Sequence, residues 1–361
     1  MLTTIFHQLQ RQLFPVLEEE IGALSDLDRQ FCAVIALTDL GRFTTAYEWC
    51  GNGAPPHARV WLAHAFIAKS VDQFPTTTAL LAARRSQPTL RRLCGWESVG
   101  ERPSEPTLSR AFAAFAEGQL PQQLHAHLIK THAGPKLAGH ISRDATAIAA
   151  PERPTAKPAP VVLAPRPRGR PKKGELRPPP PLKRLELQGP RTLAENLAEL
   201  PSACDVGTKC NSKGYKTSWI GYKLHLDTID GDLPVSAVLT SASVHDSQVA
   251  IPLAQMSAAR VTALYALMDS AYDAPQIHAF CRGLGQVPII APHPRGGDAR
   301  ELAPAQAQRF KERSAAERVN SLLKERYGAR WVRVRGAAKV MCHLMFGVLA
   351  LTATTLFARL G

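Results

Sequence analysis

Apolar residues recur at helical spacing over Asp26–Leu37 and again over His57–Lys69, and Gly51, Gly53, Pro55 and Pro56 break the chain between them. Residues 1–130 predict helices only. Two shorter helices follow. Ser86-Gln87-Pro88 offers a Ser N-cap with Pro in the first turn, and Gly95 closes that helix. Ser104-Glu105-Pro106 opens the next, which runs to Glu117 and stops at Gly118, with Leu108, Ala111, Phe112 and Phe115 inward and Thr107, Ser109 and Arg110 outward. From His140 the pattern changes to short apolar runs. His140–Ile148 reads as a strand carrying Asp144, and Thr217–Asp227 and Leu233–Thr240 form a hairpin about Asp230-Gly231. A helix through Pro252–Met256 precedes the strand Ala263–Met268, which ends at Asp269-Ser-Ala-Tyr272. The helix Pro275–Gly283, the strand Val287–Ala291 and a Pro/Gly loop lead to Arg309–Tyr327, a Gly- and Pro-free helical stretch.

Composition narrows the function. The chain of 361 residues is 45% hydrophobic, ample for a sizeable core, and carries a net charge of +14, which points to a polyanion as partner. Its seven cysteines are scattered, as in a reduced cytosolic protein, and the closest pair, Cys204 and Cys210, lacks zinc-knuckle spacing. The N-terminus has no charged start followed by an apolar run, so no secretory signal is expected. Val340–Leu360 is long enough to span a membrane, but His343 and three threonines interrupt it, and a buried helix covering a sheet fits it better. With that reading no membrane partner is expected.

Residues 151–190 are a different material, with 12 prolines and 10 Lys/Arg against 3 Glu, a net +7 that is half the charge of the chain. Such a segment cannot build a core and is expected to be extended or disordered. Its centre, Arg168-Gly-Arg170-Pro-Lys172-Lys173, resembles an AT-hook, whose arginines enter the minor groove, and it is equally a basic linker touching phosphates without sequence preference. The helix pair before it resembles a helix-turn-helix, and overall basicity together with Arg84, Arg85, Arg91 and Arg92 favours DNA over a purely structural role. Domains are therefore expected at 1–130, helical and DNA-binding, and at 135–357, α/β, interrupted by the 151–190 insert.

The chemistry concentrates in three acids. Asp144 sits inside an apolar strand and Asp269 ends another, positions where a carboxylate is costly unless paired, bound to a metal or capping a turn. On the Arg309–Tyr327 helix, Phe310, Arg313, Glu317 and Lys324 lie at offsets of 3, 7 and 14 from the first. At about 100° per residue they share an arc of about 60°. That face is also compatible with a solvated helix bearing an Arg313–Glu317 pair. The order of elements is that of an RNase H-like α/β domain, a mixed sheet flanked by helices, in which Asp144, Asp269 and Glu317 would meet. Three carboxylates meeting there repel one another unless divalent cations neutralise them, and hard oxygen ligands suit Mg²⁺ or Mn²⁺.

Arg313, Glu317 and Lys324 match residue for residue the Y-x2-R-x3-E-x6-K signature, with Phe310 where the tyrosine stands. Asp144-Ala-Thr, Gly-Tyr-Lys-Leu-His-Leu at 221–226, Val-His245-Asp246 and Asp269-Ser-Ala-Tyr follow in order, and PSEPTLSRAFAAFA at 103–116 joins them. In these blocks the chain resembles bacterial insertion-sequence DDE transposases over about residues 135–355. The resemblance implies metal-dependent cleavage at transposon ends and strand transfer, with Asp144, Asp269 and Glu317 catalytic and holding two Mg²⁺ or Mn²⁺ ions. It implies DNA contacts from Arg313 and Lys324, to which the sequence adds Arg110, Arg168, Arg170, Lys172 and Lys173. Double-stranded DNA as partner, a homodimer or larger complex on DNA, and a cytoplasmic, nucleoid-associated location follow. Phe310 cannot donate the phenolic hydrogen bond of the tyrosine it replaces. His245 and Asp246 either support the site or cap a turn. A DNA-binding relic and a nuclease that cuts without joining are the rival readings.

Overall fold

The computed structural model describes residues 2–44, 56–156, 182–210, 214–292 and 301–359. The first part is helical: α1 (Leu2–Gln8), α2 (Phe14–Ile21), α3 (Asp26–Thr38), α4 (Leu40–Thr44), α5 (Arg59–Val71), α6 (Thr77–Ser86), α7 (Pro88–Leu93), α8 (Glu105–Glu117) and α9 (Leu120–His132). Local chemistry sets the ends. Ser25 closes a capping box with Asp28 at the start of α3, and Ser104 accepts from the Thr107 N–H at the start of α8. Ser86 does not cap the next helix as its position suggests. It is the last residue of α6, its hydroxyl donating to the Ala82 and Ala83 carbonyls, while α7 begins at Pro88 with Gln87 before it.

The second part is a six-stranded mixed sheet with helices around it: β1 (Leu137–Ala149), α10 (Arg184–Gln188), α11 (Leu193–Glu199), β2 (Asp205–Cys210), β3 (Lys216–Ile229), β4 (Leu233–Ser241), α12 (Ser247–Ala258), β5 (Thr262–Met268), α13 (Pro275–Gly283), β6 (Val287–Ile290), α14 (Pro304–Phe310), α15 (Ser314–Arg326) and α16 (Ala337–Ala358). The order is β2-β3-β1-β5-β6, with β4 pairing the far half of β3. β1 runs antiparallel to β3 and parallel to β5, and β5 runs parallel to β6. This is the mixed α/β arrangement expected of an RNase H-like domain. Two elements differ from the pattern read in sequence. Asp205–Cys210, without apolar alternation, is a strand because the near half of β3 pairs it. Residues 184–188, expected to be extended, form α10, anchored by Gln188, whose buried amide donates to the Gln248 carbonyl.

Helix α16 does more than cover the sheet. It packs on α3, α5, α8, α9, β4 and α15, so one apolar cluster runs from Phe31 through the sheet to Leu356. Among the described residues it is the one helix long and apolar enough to cross a membrane, and 72% of its most apolar stretch is buried inside the protein. Burial on all sides explains its composition. Gly347 lets it approach α15 closely: a Cβ there would stand 2.5 Å from the Tyr327 carbonyl oxygen.

Candidate active site

The parallel pairing of β1 with β5 places two of the acids. Ile141 pairs with Ala266 and Ser142 with Leu267. Continuing that register by two residues sets Asp144 level with Asp269, the first residue beyond β5. Side chains alternate along a strand, so Arg143 and Asp144 take opposite faces of the sheet. Asp269 turns the chain: its Oδ1 accepts the Ala271 N–H at 2.9 Å, opening a short 3₁₀ turn over Ser270–Tyr272. Asp144 faces α15, where its Oδ2 accepts from the Asn320 amide at 2.9 Å and its Oδ1 stands 3.9 Å from Arg313 Nη1. Burial raises the Asp144 carboxyl above the usual carboxylate range, and the nearby Asp269 charge adds to it, against the lowering effects of Arg313, the Ala145 N–H and Asn320. Burial raises Asp269 too, and Asp246 adds to it against the Ala271 N–H. Two acids that each resist ionisation because they are buried form a site that gains from an added cation.

The stretch carrying the third acid is not one helix. α14 ends at Phe310, Lys311–Arg313 form a 3₁₀ turn, and α15 begins at Ser314. The cause is a pair of hydroxyls that take backbone carbonyls. Ser142 Oγ, on β1, donates to the Glu312 carbonyl at 3.2 Å, and Ser314 Oγ donates to the Lys311 carbonyl at 2.9 Å. Phe310 therefore lies on the helix before the turn, and Glu317 and Lys324 on the helix after it. Arg313, in the turn, has its guanidinium 5.7 Å from the centre of the Phe310 ring and donates from Nη2 to Glu317 Oε1. Arg313 thus stands between Asp144 and Glu317, and Glu317, 55% exposed at its side chain, is turned to that cation. Among the described residues no three His, Cys, Asp or Glu side chains converge as they would around a metal ion. Lys324 is half-buried, and burial, with Lys209 and Arg330 nearby, lowers its pKa.

Around the acids, His245 Nδ1 pairs with Ser247 Oγ at 2.8 Å and so caps the turn into α12. Asp246 is held by Lys223 Nζ at 2.8 Å, and the same ammonium donates to the Val244 carbonyl at 2.9 Å. The sequence reading missed Asn320, though its place one turn after Glu317 on the same face was a usable signal. It also missed Lys223 and the buried pair Arg143–Asp227, which only the strand register brings together.

The DNA-contact candidates separate. Arg110 is exposed on α8, as expected. Arg84 and Arg91, read as part of a basic DNA-facing cluster, are buried: Arg84 lies 3.7 Å from the centre of the Trp96 ring, and Arg91 donates to the Glu97 and Arg84 carbonyls. Arg85 is exposed, and Arg92 pairs with Glu97. Arg168, Arg170, Lys172 and Lys173 lie outside the described residues.

Comparison with known proteins places both parts of the chain. Residues 189–353 match the family model described as Transposase DDE domain, a span that contains Asp269, Arg313, Glu317 and Lys324. Residues 19–114 match the Transposase domain (DUF772), which contains α7 and most of α8 with Arg110. No curated protein matches. No solved structure matches. Asp144 lies outside both spans, and its tie to the site is its position in the sheet beside Asp269. Both matched spans fall on transposase families, and together they indicate an insertion-sequence DDE transposase.

Proposed function

We propose that this transposase cuts DNA at the ends of its element and joins the freed 3′ ends to target DNA, with Asp144, Asp269 and Glu317 as the acids of the site. The observation that carries the reading is the β1–β5 register, which sets Asp144 level with Asp269 on the side of β1 that faces α15. Three carboxylates are hard oxygen donors, and burial keeps two of them above the usual carboxylate range, so the donor set fits Mg²⁺ or Mn²⁺, two ions per site. Bound there, the cations would neutralise phosphate charge, activate the attacking hydroxyl and stabilise the leaving oxygen. Asn320 fixes the rotation of the Asp144 carboxylate. Arg313 and Lys324 hold phosphates, the first as a planar fork and the second as a point charge. For Glu317 to join the two aspartates, Arg313 must release it, and a DNA phosphate is the natural exchange partner for that guanidinium.

In the first reaction water adds to phosphorus and the 3′ oxygen leaves as a hydroxyl. In the second that hydroxyl attacks a target phosphodiester, one P–O bond forming as another breaks. The helical region 1–130 and the basic 151–190 segment that interrupts the 135–357 catalytic region, with Arg110, Arg168, Arg170, Lys172 and Lys173, bind duplex DNA. Two element ends need two sites, so the working form is a homodimer or larger on DNA, acting at the nucleoid in the cytoplasm. The test is Mg²⁺-dependent cleavage and joining of a DNA bearing the element's ends, wild type beside Glu317→Gln. Metal-dependent cutting with joined products, lost in the variant while binding persists, supports the reading, and cutting without joining makes the protein a nuclease. The Arg313–Glu317 pair favours one rival, a DNA-binding relic. Binding without cutting by either protein would establish it.

A further inference from the structure

After α15 the chain runs as an unpaired extended strap to α16. Along it Trp331, Arg333 and Arg335 are exposed while Val332 is buried and Val334 partly so, a period of two with one face on the protein and the other in solvent. Trp331 is 60% exposed, so its indole offers a face to solvent. The strap is fixed at its start: Gly328 takes a φ of +80°, and its carbonyl is 3.0 Å from His343 Nε2 on α16. The strap thus presents an indole and two guanidiniums outward.

Beside Trp331 lies a cleft of about 260 Å³ between the strap and the helical region, lined also by Lys69, Phe74, Pro75, Lys324 and His343. Lys69 comes from α5 and Lys324 from α15. Neither forms a hydrogen bond or ion pair with a described residue, although burial lowers both ammonium groups, Lys69 to about 8. Two poorly hydrated cations without partners facing one cleft are unfavourable unless an anion enters it. The one carboxylate at the cleft, Glu325, is exposed and accepts from Ser321. Lys324 lies seven residues beyond Glu317 on α15, about 10 Å along the helix axis, so the cleft is a nucleotide or two from the acids.

A ligand that suits paired cations beside a bare indole is an anion with a flat aromatic group, repeated along a chain. We infer that the strap and cleft bind single-stranded DNA next to the cut, a base stacking on Trp331 and its phosphates held by Lys69, Lys324 and Arg333. Duplex DNA is the poorer fit, because its bases are stacked on each other and offer no free face, whereas an unpaired base offers one to any aromatic ring. The inference rests on the reading of Lys324 as a DNA contact, and it gives the helical region, through Lys69, a share in the strand that leaves the site.

The test uses the full chain in EDTA, so that no chemistry is needed and the result stands whether or not the cleavage reading does. Binding of fluorescein-labelled oligothymidylate and of a duplex of equal length is measured for wild type, Trp331→Ala, Trp331→Phe and Lys69→Gln. Stacking of one base is worth about ten-fold in affinity, so Trp331→Ala should weaken oligothymidylate binding by about that factor and Trp331→Phe should keep most of it. Lys69→Gln should reduce the slope of log affinity against log salt by about 0.7 for the single strand alone. Both positions tolerate change, one being exposed and the other a partnerless cation. The inference fails if Trp331→Ala binds the single strand like wild type, or if it loses single-strand and duplex binding equally.

Discussion

Arg143 and Asp144 are neighbours on β1, and the two faces of that strand treat charge in opposite ways. Arg143 is sealed in the core opposite Asp227, its cross-strand partner, with Nε and Nη2 donating to the two carboxylate oxygens at 2.8 and 2.7 Å. Ser257 adds a third hydrogen bond to Asp227 at 2.7 Å. Both carboxylate oxygens of that pair are used. Asp144, one residue on, has one side-chain amide at 2.9 Å, the Ala145 N–H, a guanidinium at 3.9 Å and a second acid at the same level of the sheet. The first face is closed and can only hold the strands in register. The second is left short of positive charge, and a group short of charge in a fixed frame is what a metal or phosphate can bind. The difference separates a structural ion pair from a site, where burial of charge alone would not.

The comparison breaks most sharply when the acids are neutralised. Asp144→Asn, Asp269→Asn and Glu317→Gln should each cut DNA cleavage at least about a thousand-fold, because each removes charge that the reaction uses at the several-kcal/mol level. Circular dichroism should show the fold intact in all three. On the other face the pattern should reverse. Asp227→Ala leaves Arg143 buried and unpaired, and urea unfolding should show a loss of about 3–5 kcal/mol. Replacing both partners by apolar residues, Arg143→Met with Asp227→Leu, should recover most of that loss, since a closed pair and a packed apolar core are near equivalents. If the double variant is as unstable as the single, the pair is doing more than filling the core.

A smaller effect sharpens the contrast. Asn320→Ala removes the amide that orients Asp144 while touching no acid. Outer ligands of this kind are worth about ten- to a hundred-fold in metal affinity. Titration of Mn²⁺ against the variant, followed by the paramagnetic signal of the free ion, should show weakening in that range with little change in stability. Unchanged affinity would mean that Asn320 only satisfies Asp144 in the absence of metal.

How much of this was legible depends on the range of the interaction concerned. β1, β3, β5 and the hairpin turn are written in apolar runs closed by Asp or Gly, so each could be read locally, and the helix at Pro275–Gly283 begins and ends where its Pro and Gly imply. The level placement of Asp144 and Asp269 could not be read, because parallel register is set by packing between strands more than a hundred residues apart. The break in the Arg309–Tyr327 helix was equally hidden: its sequence favours helix throughout, and the hydroxyl that takes the Glu312 carbonyl comes from Ser142. The burial of Arg84 was lost for a related reason. A run of arginines looks basic and exposed until a distant Trp96 supplies a ring for one of them to lie on.

The smallest predicted effect tests whether the open face costs the fold anything. Burial and the neighbouring Asp269 raise the Asp144 carboxyl above its ordinary value, so the folded protein holds the proton more tightly than the unfolded chain. A group raised in this way gives stability that is fully present below its unfolded pKa, about 3.9, and that is lost as pH rises through the folded value. At neutral pH the charged carboxylate is therefore a burden, and Asp144→Asn, which keeps the acceptor for Asn320 and drops the charge, should melt slightly higher than wild type. The gap should close as pH falls toward 4, where wild type is protonated as well. The comparison has to be made in EDTA, because a divalent ion bound only to the folded wild type would stabilise it by mass action and reverse the order. If the variant instead melts lower at neutral pH without metal, the attraction between Arg313 and Asp144 outweighs burial, and the two faces of β1 are more alike than their hydrogen bonds suggest.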